Sequence, residues 1–505
     1  MVIFKSNRQS IKIPDIDIYS YLFSPNAFNK SRSQNSPLLI DGITGQTLSY
    51  AEVRDLSSRI ALGWKERVGL NKGDVEHNVP SRLAEFDHQI RKSNAKVIVT
   101  IPSLLPILTA VAERNQIPKD KILLFGNEEV SGFKSYHSIA YNEITYPLSL
   151  QDIQPSEDVA FICFSSGTTG LAKGVMLTHK NFVSQIAMVT EFEETDPKQQ
   201  EVTIGFLPFY HIFGLTTLVI RAFYSLTPVV VLPKYDLELL CQLIEKYKIT
   251  TAPIVPPVGK VISSGAAPLG SEHIEALNAR IKAYVRQGYG MTETTAGCIY
   301  QKVGISPLGS TGVLIANMEC KLVDEAGNEV NAGQPGEILL KGPTIMKGYL
   351  NDDKANKETF TKDGWMRTGD VAKYDPVSGE FFIIDRIKEM IKFKGYQVAP
   401  AELEALLMSH PSIADCCVVG VYEASQATEL PRAYIVLQPS VHNRQEAVRQ
   451  IIEFVEGSVA NHKRLRGGVR LIDQVPKSPS GKILRRKVKE WIKQEQSEQA
   501  YKARL

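Results

Sequence analysis

Several marks of specialised protein classes are missing from this sequence of 505 residues. Its six cysteines include no Cys-x-x-Cys pair, so neither a metal site nor a disulfide framework is indicated, and we expect a reducing compartment. The sequence contains no internal repeat or low-complexity tract, which disfavours a solenoid or a disordered scaffold. The first eight residues lack the apolar core of a secretory signal, so we expect none.

No apolar run is long and uninterrupted enough to span a membrane. The nearest candidate, residues 214–232, contains Arg221 and Pro228. We therefore predict a buried helix followed by a strand over Val229–Leu232, and no transmembrane segment.

What remains is the composition of a soluble globular protein, with 43% hydrophobic and 22% charged residues. The length exceeds what one hydrophobic core usually organises, so we expect two or more domains. Strand-like runs such as Val159–Phe164 alternate with helical stretches such as Leu237–Tyr247, which predicts an α/β fold. Beyond residue 388 the pattern predicts a smaller α+β unit. Its predicted elements are helices over Pro400–Met408 and Arg444–Val459 and strands over Asp415–Val421 and Arg432–Leu437.

The segment 164–174 concentrates hydroxyl groups, glycines and one lysine directly after an apolar strand. Hydroxyls and backbone N–H groups donate to phosphate oxygens, and a lysine supplies a point charge. The spacing is not that of a Walker loop, and a second strand, Gly174–Leu177, is expected before a helix capped by Thr178. We predict a polyphosphate-binding loop between two strands, with an ordinary Ser/Thr/Gly turn as the alternative. The residues expected to hold the phosphates are Ser165, Ser166, Gly167, Thr168, Thr169 and Lys173.

Further motifs follow this loop along the chain. They are Phe209–Gly214, Ser264–Leu269, Gln287–Glu293, Thr368–Asp370, Asp385–Lys388, Lys392–Gln397 and Pro479–Lys482. In this order they resemble the adenylate-forming superfamily, which contains acyl-CoA synthetases, coumarate CoA ligases, luciferases and peptide-synthetase adenylation domains. The resemblance covers residues 160 to 490 and favours the acyl- or aryl-CoA ligase branch.

The resemblance implies a large N-terminal domain of layered α/β subdomains with a small β-barrel, hinged to a smaller α+β C-terminal domain. We place the adenylation domain at residues 1–386, the mobile domain at residues 387–505, and the hinge at Lys388. The implied reaction uses ATP, Mg²⁺ and coenzyme A. A carboxylate attacks the α-phosphate to give an acyl-adenylate and pyrophosphate, and the CoA thiol then displaces AMP.

The resemblance assigns the first half-reaction to residues from several motifs. Lys482 is expected to contact the carboxylate and α-phosphate oxygens, because cations offset the charge that develops there. Thr292 would reach the α-phosphate and Glu293 would bind Mg²⁺. Asp370 would accept hydrogen bonds from the ribose hydroxyls, with Arg386 assisting.

Each of these assignments has a structural alternative: a solvated lysine, the start of a helix, a turn residue, or a hinge salt bridge. The remaining assignments of the first half-reaction concern the two pockets. The adenine and acyl pocket is assigned Gln287, Gly288 and Tyr289. The binding site of the acid is assigned His211, Phe213 and Ala266.

The second half-reaction is assigned to the segment after the hinge. Rotation is expected to bring residues 392–397 toward the nucleotide, with a glycine leaving room for pantetheine beside the backbone. By resemblance, Lys392 and Gln397 contact the AMP side, while Lys234, Lys394 and Gly395 contact CoA.

Two segments are shorter than the resemblance predicts, one between Asp74 and Phe86 and one between Pro257 and Val261. Both cuts remove expected core, and we expect apolar faces to be left uncovered. An inactive truncated paralogue is therefore one alternative function. A carrier-protein-loading adenylation enzyme is another, although no carrier serine motif follows Lys482. The acid itself, aryl, cinnamoyl or fatty, stays open.

The C-terminal tail is basic: residues 461–505 contain 13 Lys and Arg against 4 Asp and Glu. The apolar residues Ile483, Leu484, Val488, Trp491 and Ile492 predict a docked helix. Interleaved aromatics are lacking, so we expect no nucleic acid partner and favour CoA phosphates as the anion, with a solvated charged face as the alternative.

The last three residues, Ala503-Arg504-Leu505, resemble the peroxisomal address of the Ser-Lys-Leu type. We expect recognition by the peroxisomal import receptor and a peroxisomal location, with the cytoplasm as the alternative.

Overall fold

The protein is described from a computed structural model. It describes residues 3–78, 83–144, 152–165, 172–233, 236–253, 261–264, 284–302, 304–478 and 481–502.

Strands and helices alternate along most of the chain. The strands are β1 Phe4–Lys5, β2 Pro37–Asp41, β3 Thr47–Ser49, β4 Glu76–Asn78, β5 Val97–Thr100, β6 Ile122–Leu124, β7 Val159–Ser165, β8 Lys173–Thr178, β9 Thr203–Gly205, β10 Val229–Val231, β11 Thr251–Pro253, β12 Val261–Ser264, β13 Tyr284–Met291, β14 Ala296–Tyr300, β15 Val313–Leu314, β16 Glu319–Val323, β17 Pro335–Lys341, β18 Gly348–Tyr349, β19 Met366–Asp375, β20 Glu380–Arg386, β21 Ile391–Phe393, β22 Tyr396–Val398, β23 Ile413–Glu423, β24 Thr428–Leu437 and β25 Val469–Leu471. The helices are α1 Ile18–Phe23, α2 Ala27–Ser31, α3 Tyr50–Gly63, α4 Leu83–Ser93, α5 Leu105–Arg114, α6 His179–Phe192, α7 Ile212–Gly214, α8 Ala222–Ser225, α9 Leu237–Tyr247, α10 Asp353–Thr359, α11 Pro400–Met408, α12 Arg444–Ser458 and α13 Arg485–Lys502.

A large mixed sheet organises the N-terminal part, in the order β15-β14-β13-β12-β11-β9-β10-β2-β3. Its central strands, from β13 to β2, are parallel, and the pairs at its two ends are antiparallel. Helix α6 begins where the sequence predicts, because Thr178 caps it and forms a capping box with Asn181. This helix buries residues on most of its surface, so it lies inside the layers.

Smaller sheets complete the N-terminal part. Strands β18, β8 and β7 form an antiparallel sheet, and β4, β5 and β6 form a parallel one. Where the resemblance predicts a small β-barrel, the chain forms a five-stranded antiparallel sheet in the order β1-β16-β17-β19-β20. Its two end strands approach each other, since the rings of Phe4 and Phe381 lie 5.6 Å apart. This sheet matters for function because β19 and β20 carry Asp370 and Arg386 in register with each other.

The C-terminal unit is smaller and has its own core. Strands β23, β24 and β25 form one sheet, and β21 and β22 form a hairpin. Ile391, Leu403, Val418 and Ile451 are among the residues of the core cluster. A large α/β part and a smaller α+β part are therefore confirmed, while the boundary at residues 386/387 stays a prediction.

Several elements predicted from the sequence have the observed bounds. Helices α9 and α11 match their predicted residues. The apolar run 214–232 forms the helical stretch of α7, a π-helical segment Leu215–Arg221 and α8, followed by β10. Helix α13 buries Val488 and Ile492 against β23 and β24, as its amphipathic pattern predicts. Within the described residues, no helix is both long and apolar enough to cross a membrane.

The elements on either side of the first shortened segment, between Asp74 and Phe86, pack directly against their neighbours. Strand β4 pairs directly with β5, and Phe86 and Ile90 of α4 are 1% exposed in a core shared with α5. Ile101 and Phe125, which follow β5 and β6, are 45% and 47% exposed. That the shortening leaves apolar faces uncovered stays a prediction. Most of the second short segment, residues 254–260, lies outside the described residues.

Candidate active site

One cavity of 2690 Å³ collects most of the described residues that the sequence singles out. Its walls come from β7, β8, β13, β19, β20 and the start of α13, so both parts of the chain contribute. The predicted residues that line it are Ser165, Lys173, His211, Phe213, Gln287, Gly288, Tyr289, Thr292, Glu293, Asp370, Arg386, Lys388 and Lys482.

The predicted phosphate loop joins two neighbouring antiparallel strands, as expected. Ser165 ends β7 and pairs in register with Lys173 at the start of β8. The Lys173 Nζ atom lies 4.5 Å from the centroid of the Tyr349 ring, which is a cation–π contact. Both ends of the predicted loop, Ser165 and Lys173, therefore lie in the cavity wall, and Lys173 packs on the ring of Tyr349. Residues 166–171 lie outside the described residues.

Strand β13 brings its motif to the cavity and connects it to the five-stranded sheet. The Tyr289 hydroxyl donates a hydrogen bond to Asp370 Oδ2 at 2.7 Å. Gln287 is buried and its N–H donates to Gln301 Oε1 at 2.6 Å. A Cβ atom on Gly290 would lie 2.0 Å from the Ala296 carbonyl oxygen, so only glycine fits beside the returning strand. Gly290 therefore allows the two strands of the chain's own backbone to approach each other closely.

Asp370 lies at the base of the cavity and is 7% exposed. Burial raises the pKa of its carboxyl group, against the opposing effects of Arg386, the Tyr289 hydrogen bond and Lys482. Arg386 Nε lies 3.5 Å from Asp370 Oδ1, and its Nη1 lies 3.7 Å from Glu389 Oε1. Asp370 and Arg386, the two residues predicted to bind the ribose, therefore lie next to each other. Arg386 also forms the salt bridge with Glu389, which is the structural alternative that the sequence offered for this arginine.

Lys482 enters the cavity from the C-terminal unit. Its backbone N–H donates to Ser478 Oγ at 3.2 Å, and Gly481 before it has a φ of +80°, which presents the lysine on a turn. Burial and the nearby Arg386 lower the pKa of Lys482 to about 8, opposed by Glu389, Asp370 and Glu293. The lysine is therefore within electrostatic range of the groups predicted for the nucleotide.

His211 lies in the same cavity and caps α7. Its Nδ1 accepts a hydrogen bond from the Phe213 N–H at 3.3 Å. Burial, and after it the charge of Lys482, lowers the pKa of the imidazole. A neutral ring beside a lysine suits contact with the substrate, as the sequence predicts, better than the role of an acid.

Thr292 and Glu293 begin a short 3₁₀ turn, Thr292–Thr294. The sequence analysis gave the start of a helix as the structural alternative for these two residues. Glu293 is 5% exposed, and its Oε1 accepts a hydrogen bond from the Tyr349 hydroxyl at 2.9 Å. Among the described residues, no cluster of three or more His, Cys, Asp or Glu could hold a metal. One buried carboxylate in the cavity nevertheless fits Mg²⁺, because this ion is usually held by one or two carboxylates together with substrate phosphates.

The residues predicted for the second half-reaction lie elsewhere. Lys392, Lys394, Gly395 and Gln397 are exposed on the β21–β22 hairpin and do not line the cavity. Gln397 Nε2 donates instead to Glu325 Oε1 at 2.7 Å. The structure thus brings Lys482, and not this hairpin, to the cavity. The remaining predicted residues, Ser166, Gly167, Thr168, Thr169, Lys234 and Ala266, lie outside the described residues.

Two family models match the chain: AMP-binding enzyme over residues 77–350 and AMP-binding enzyme C-terminal domain over residues 402–482. The chain belongs to the AMP-binding enzyme family. It is 34% identical to the 4-coumarate–CoA ligase 1 of Arabidopsis thaliana, with 96% of this chain and 94% of that protein covered. It is also 34% identical to the probable 4-coumarate–CoA ligase 1 of Dictyostelium discoideum, with 90% and 92% covered. The predicted superfamily and its CoA-ligase branch are confirmed.

Two solved structures share the fold. The ATP-bound MatB of Rhodopseudomonas palustris has a TM-score of 0.81 at 23% identity, covering 94% of this chain and 99% of that one. The anthranilate CoA ligase AuaEII in complex with anthranoyl-AMP has a TM-score of 0.83 at 20% identity, covering 96% and 98%. The alignment with the Arabidopsis relative spans 550 positions against 505 residues here, so this chain has gaps relative to it.

Tyr349 lines the cavity, but the sequence analysis did not predict it as a residue of the site. It bonds Glu293, supports Lys173, and lies in β18, which pairs with β8 of the phosphate-loop sheet. It stands outside every motif of the family resemblance, and a single tyrosine carries no periodic or spacing signal. Only the pairing of β18 with β8 reveals its place in this AMP-binding enzyme.

We expect Tyr349→Phe to lower pyrophosphate exchange about tenfold. The ring and its contact with Lys173 stay, but Glu293 loses a hydrogen bond to a charged group worth about 1.5 kcal/mol. Exchange rates measured across a Mg²⁺ titration check this. Tyr422→Phe, at a tyrosine that is 60% exposed, is the matched control. An unchanged rate in Tyr349→Phe would show that this hydrogen bond has no catalytic value.

Proposed function

We propose that this protein is an ATP-dependent acid–CoA ligase that activates a carboxylic acid as its acyl-adenylate and transfers the acyl group to CoA. The observation that carries the proposal is the convergence of Lys482, Asp370, Arg386 and Glu293 in one cavity, with the lysine supplied by the C-terminal unit. Cations and carboxylates from separate parts of the chain then surround the place where a nucleotide would bind.

In the first half-reaction a carboxylate oxygen of the acid forms a bond to the α-phosphorus of ATP, and the bond from that phosphorus to pyrophosphate breaks. Both reactants are anionic, so the reaction needs positive charge near the phosphoryl oxygens. Lys482 supplies it, with Lys173 at the loop that would hold the outgoing phosphates. Asp370, fixed by Tyr289 and Arg386, positions the ribose.

Magnesium is part of this proposal. Glu293 would hold it with the triphosphate, and the ion would neutralise charge on the phosphate oxygens. The role of the protein is to keep the Glu293 carboxylate buried and oriented by Tyr349.

In the second half-reaction the CoA sulfur forms a bond to the acyl carbon, the thiol proton is lost, and AMP leaves with the mixed-anhydride oxygen. Here we propose a rotation about Lys388 that replaces Lys482 by the β21–β22 hairpin. Lys392 and Gln397 would then contact AMP, and Lys394 and Gly395 would contact CoA. Gly395 has a φ of +85°, so this turn is built for a residue without a side chain.

The proposal is tested by acid-dependent AMP formation with ATP and CoA over aryl, cinnamoyl, medium-chain and long-chain acids. Formation of acyl-CoA with at least one acid supports the ligase. A carrier-protein-loading enzyme would release pyrophosphate but leave CoA unused. An inactive paralogue would give no acid-dependent exchange between ATP and pyrophosphate.

The pH dependence of adenylation follows from Lys482. Its pKa is lowered to about 8 in the free protein, so the lysine is charged below that pH and neutral above it. We expect kcat/KM for ATP to be level below about pH 8 and to fall about tenfold per pH unit above it. Lys482→Arg should remove this break, whatever its absolute rate, because an arginine stays charged. A break that persists in Lys482→Arg would assign the titration to another group.

We propose a peroxisomal location through Ala503-Arg504-Leu505, carried by the sequence of these three residues. We expect a fusion with a fluorescent protein at the N-terminus to label peroxisomes and a copy lacking Leu505 to become diffuse. Punctate labelling without Leu505 would reject the signal.

A further inference from the structure

An ion cluster made of Glu193, Arg221 and Arg286 lines part of the cavity wall. Glu193 Oε2 accepts a hydrogen bond from Arg221 Nη2, and its Oε1 accepts one from Arg286 Nη2. The three side chains are only 13–16% exposed. Burial disfavours the Glu193 carboxylate, yet Arg221 and Arg286 outweigh it and hold the pKa of this group below its ordinary value. Charged groups are rarely placed in such surroundings without a partner or a task.

The cluster lies at a distance from the reacting end that suits the far end of a small acid. Arg221 follows His211 by ten residues within one helical stretch, which is at most about 15 Å along the helix axis, because the π-helical segment of 7 residues rises less per residue than an α-helix. Arg286 and Gln287 of β13 both line the cavity, so the cluster borders the same pocket as the motif of this strand. An acid whose carboxylate is activated near His211 and Lys482 would extend toward these arginines.

Arg221 has donors to offer a ligand. A guanidinium carries five N–H groups, and both hydrogen bonds of Arg221 to described residues, to Glu193 and Thr195, use Nη2. Within the described part of the chain its Nε and Nη1 groups bond no acceptor, and Arg221 lines the cavity, so they can bind an acceptor on a ligand. Two arginines share the Glu193 carboxylate, and Glu201 adds a weaker attraction on Arg286. Arginine binds carboxylates with two parallel hydrogen bonds, which makes it suited to recognising an oxygen anion.

We propose that Arg221 selects acids that carry a second carboxylate at the end opposite the activated one, either α,ω-dicarboxylic acids or aryl acids with a distal carboxylate. This inference rests on the proposed ligase function and names its substrate class. A methyl-ended acid would displace water from Arg221 and leave its donors without an acceptor. A site built to bind a polar group rejects analogues that lack it far more strongly than an apolar pocket rejects an extra methylene.

The test compares acids of equal length that differ only at the far end. Dicarboxylic acids of four to ten carbons are paired with the monocarboxylic acids of the same chain length, and 4-carboxycinnamate is paired with 4-methylcinnamate. 4-Hydroxycinnamate is the third acid of this set, because it carries an uncharged oxygen at the far end. Acid-dependent AMP formation gives kcat/KM for each. At the fitting length, we expect the carboxylate-ended acid to exceed its methyl-ended partner at least about tenfold and to exceed the hydroxyl-ended acid.

The variant Arg221→Met should bring the ratio within each pair to about one, with kcat/KM for the methyl-ended acid unchanged or higher. Arg114→Met, at an exposed arginine outside the cavity lining, is the matched control. The wild-type ratios decide the matter even when Arg221→Met fails to fold. Equal or better use of methyl-ended or hydroxyl-ended acids at every length overturns this inference while leaving the ligase intact. Failure of every acid, by contrast, would refute the ligase function itself.

Discussion

Replacing Lys482 by alanine is expected to slow acyl-adenylate formation by two to three orders of magnitude. The lysine is one of several charged groups that the C-terminal unit contributes to the cavity wall, and its charge interacts with those of Asp370 and Glu293. Loss of one preorganised contact to the charge of a transition state typically costs about 10²–10³ in rate. Exchange of labelled pyrophosphate into ATP, with a saturating acid, measures this step alone.

The second half-reaction supplies the internal control. Starting from synthetic acyl-adenylate and CoA, Lys482→Ala should form acyl-CoA within about threefold of the wild-type rate, because the phosphoryl bond is already made. Lys362→Ala, at an exposed lysine away from the cavity, should leave both rates unchanged. If Lys482→Ala slows both half-reactions equally, the lysine supports the fold or the binding of AMP and has no special role in adenylation.

A proline at position 388 is expected to separate the two half-reactions in the opposite sense. Lys388 lies exposed in the turn between β20 and β21, where Glu389 N–H donates to the Arg386 carbonyl oxygen at 2.9 Å. Proline fixes φ at 388 and restricts the preceding residue, so the turn loses the freedom that a rotation needs. Misplacing a reacting group by about 1 Å can cost about 10²-fold, and we expect that loss in thioester formation.

Adenylation should fall much less in Lys388→Pro, since the arrangement with Lys482 in the cavity is the one already formed. Lys388→Ala keeps the backbone free and controls for the side chain. Single-turnover formation of acyl-AMP and acyl-CoA, followed in the same samples, gives both rates. Equal losses in both steps would contradict a rotation about this residue.

The elements near the motifs could be predicted because local rules determine them. Thr178 caps α6 as a Thr-x-x-Asn pattern allows, and Pro400 opens α11 at the first position of a helix. The predicted phosphate loop lies between two strands because apolar runs flank it on both sides. Its neighbours Tyr289 and Asp370 are 81 residues apart along the chain, and their hydrogen bond follows from the meeting of two sheets, not from either motif.

The cluster of Glu193, Arg221 and Arg286 could not be predicted in the same way. Glu193, Arg221 and Arg286 belong to three elements, and each alone reads as an ordinary surface charge or, for Arg221, as an interruption of an apolar run. Their pairing depends on tertiary packing that brings the end of α6 against β13. The same limit applies to Tyr349, whose role depends on strand pairing between β18 and β8.

The tight contact at Gly290 has a consequence for anyone who wishes to redesign this protein. That wall of the cavity is main chain pressed against main chain, and a Cβ added at Gly290 would come within 2.0 Å of the Ala296 oxygen, so a larger residue there would force two strands apart. Mutant libraries aimed at new substrates should therefore leave residues 288–290 untouched. They should vary Phe213, Thr217 and Arg221, which line the cavity from one helical stretch.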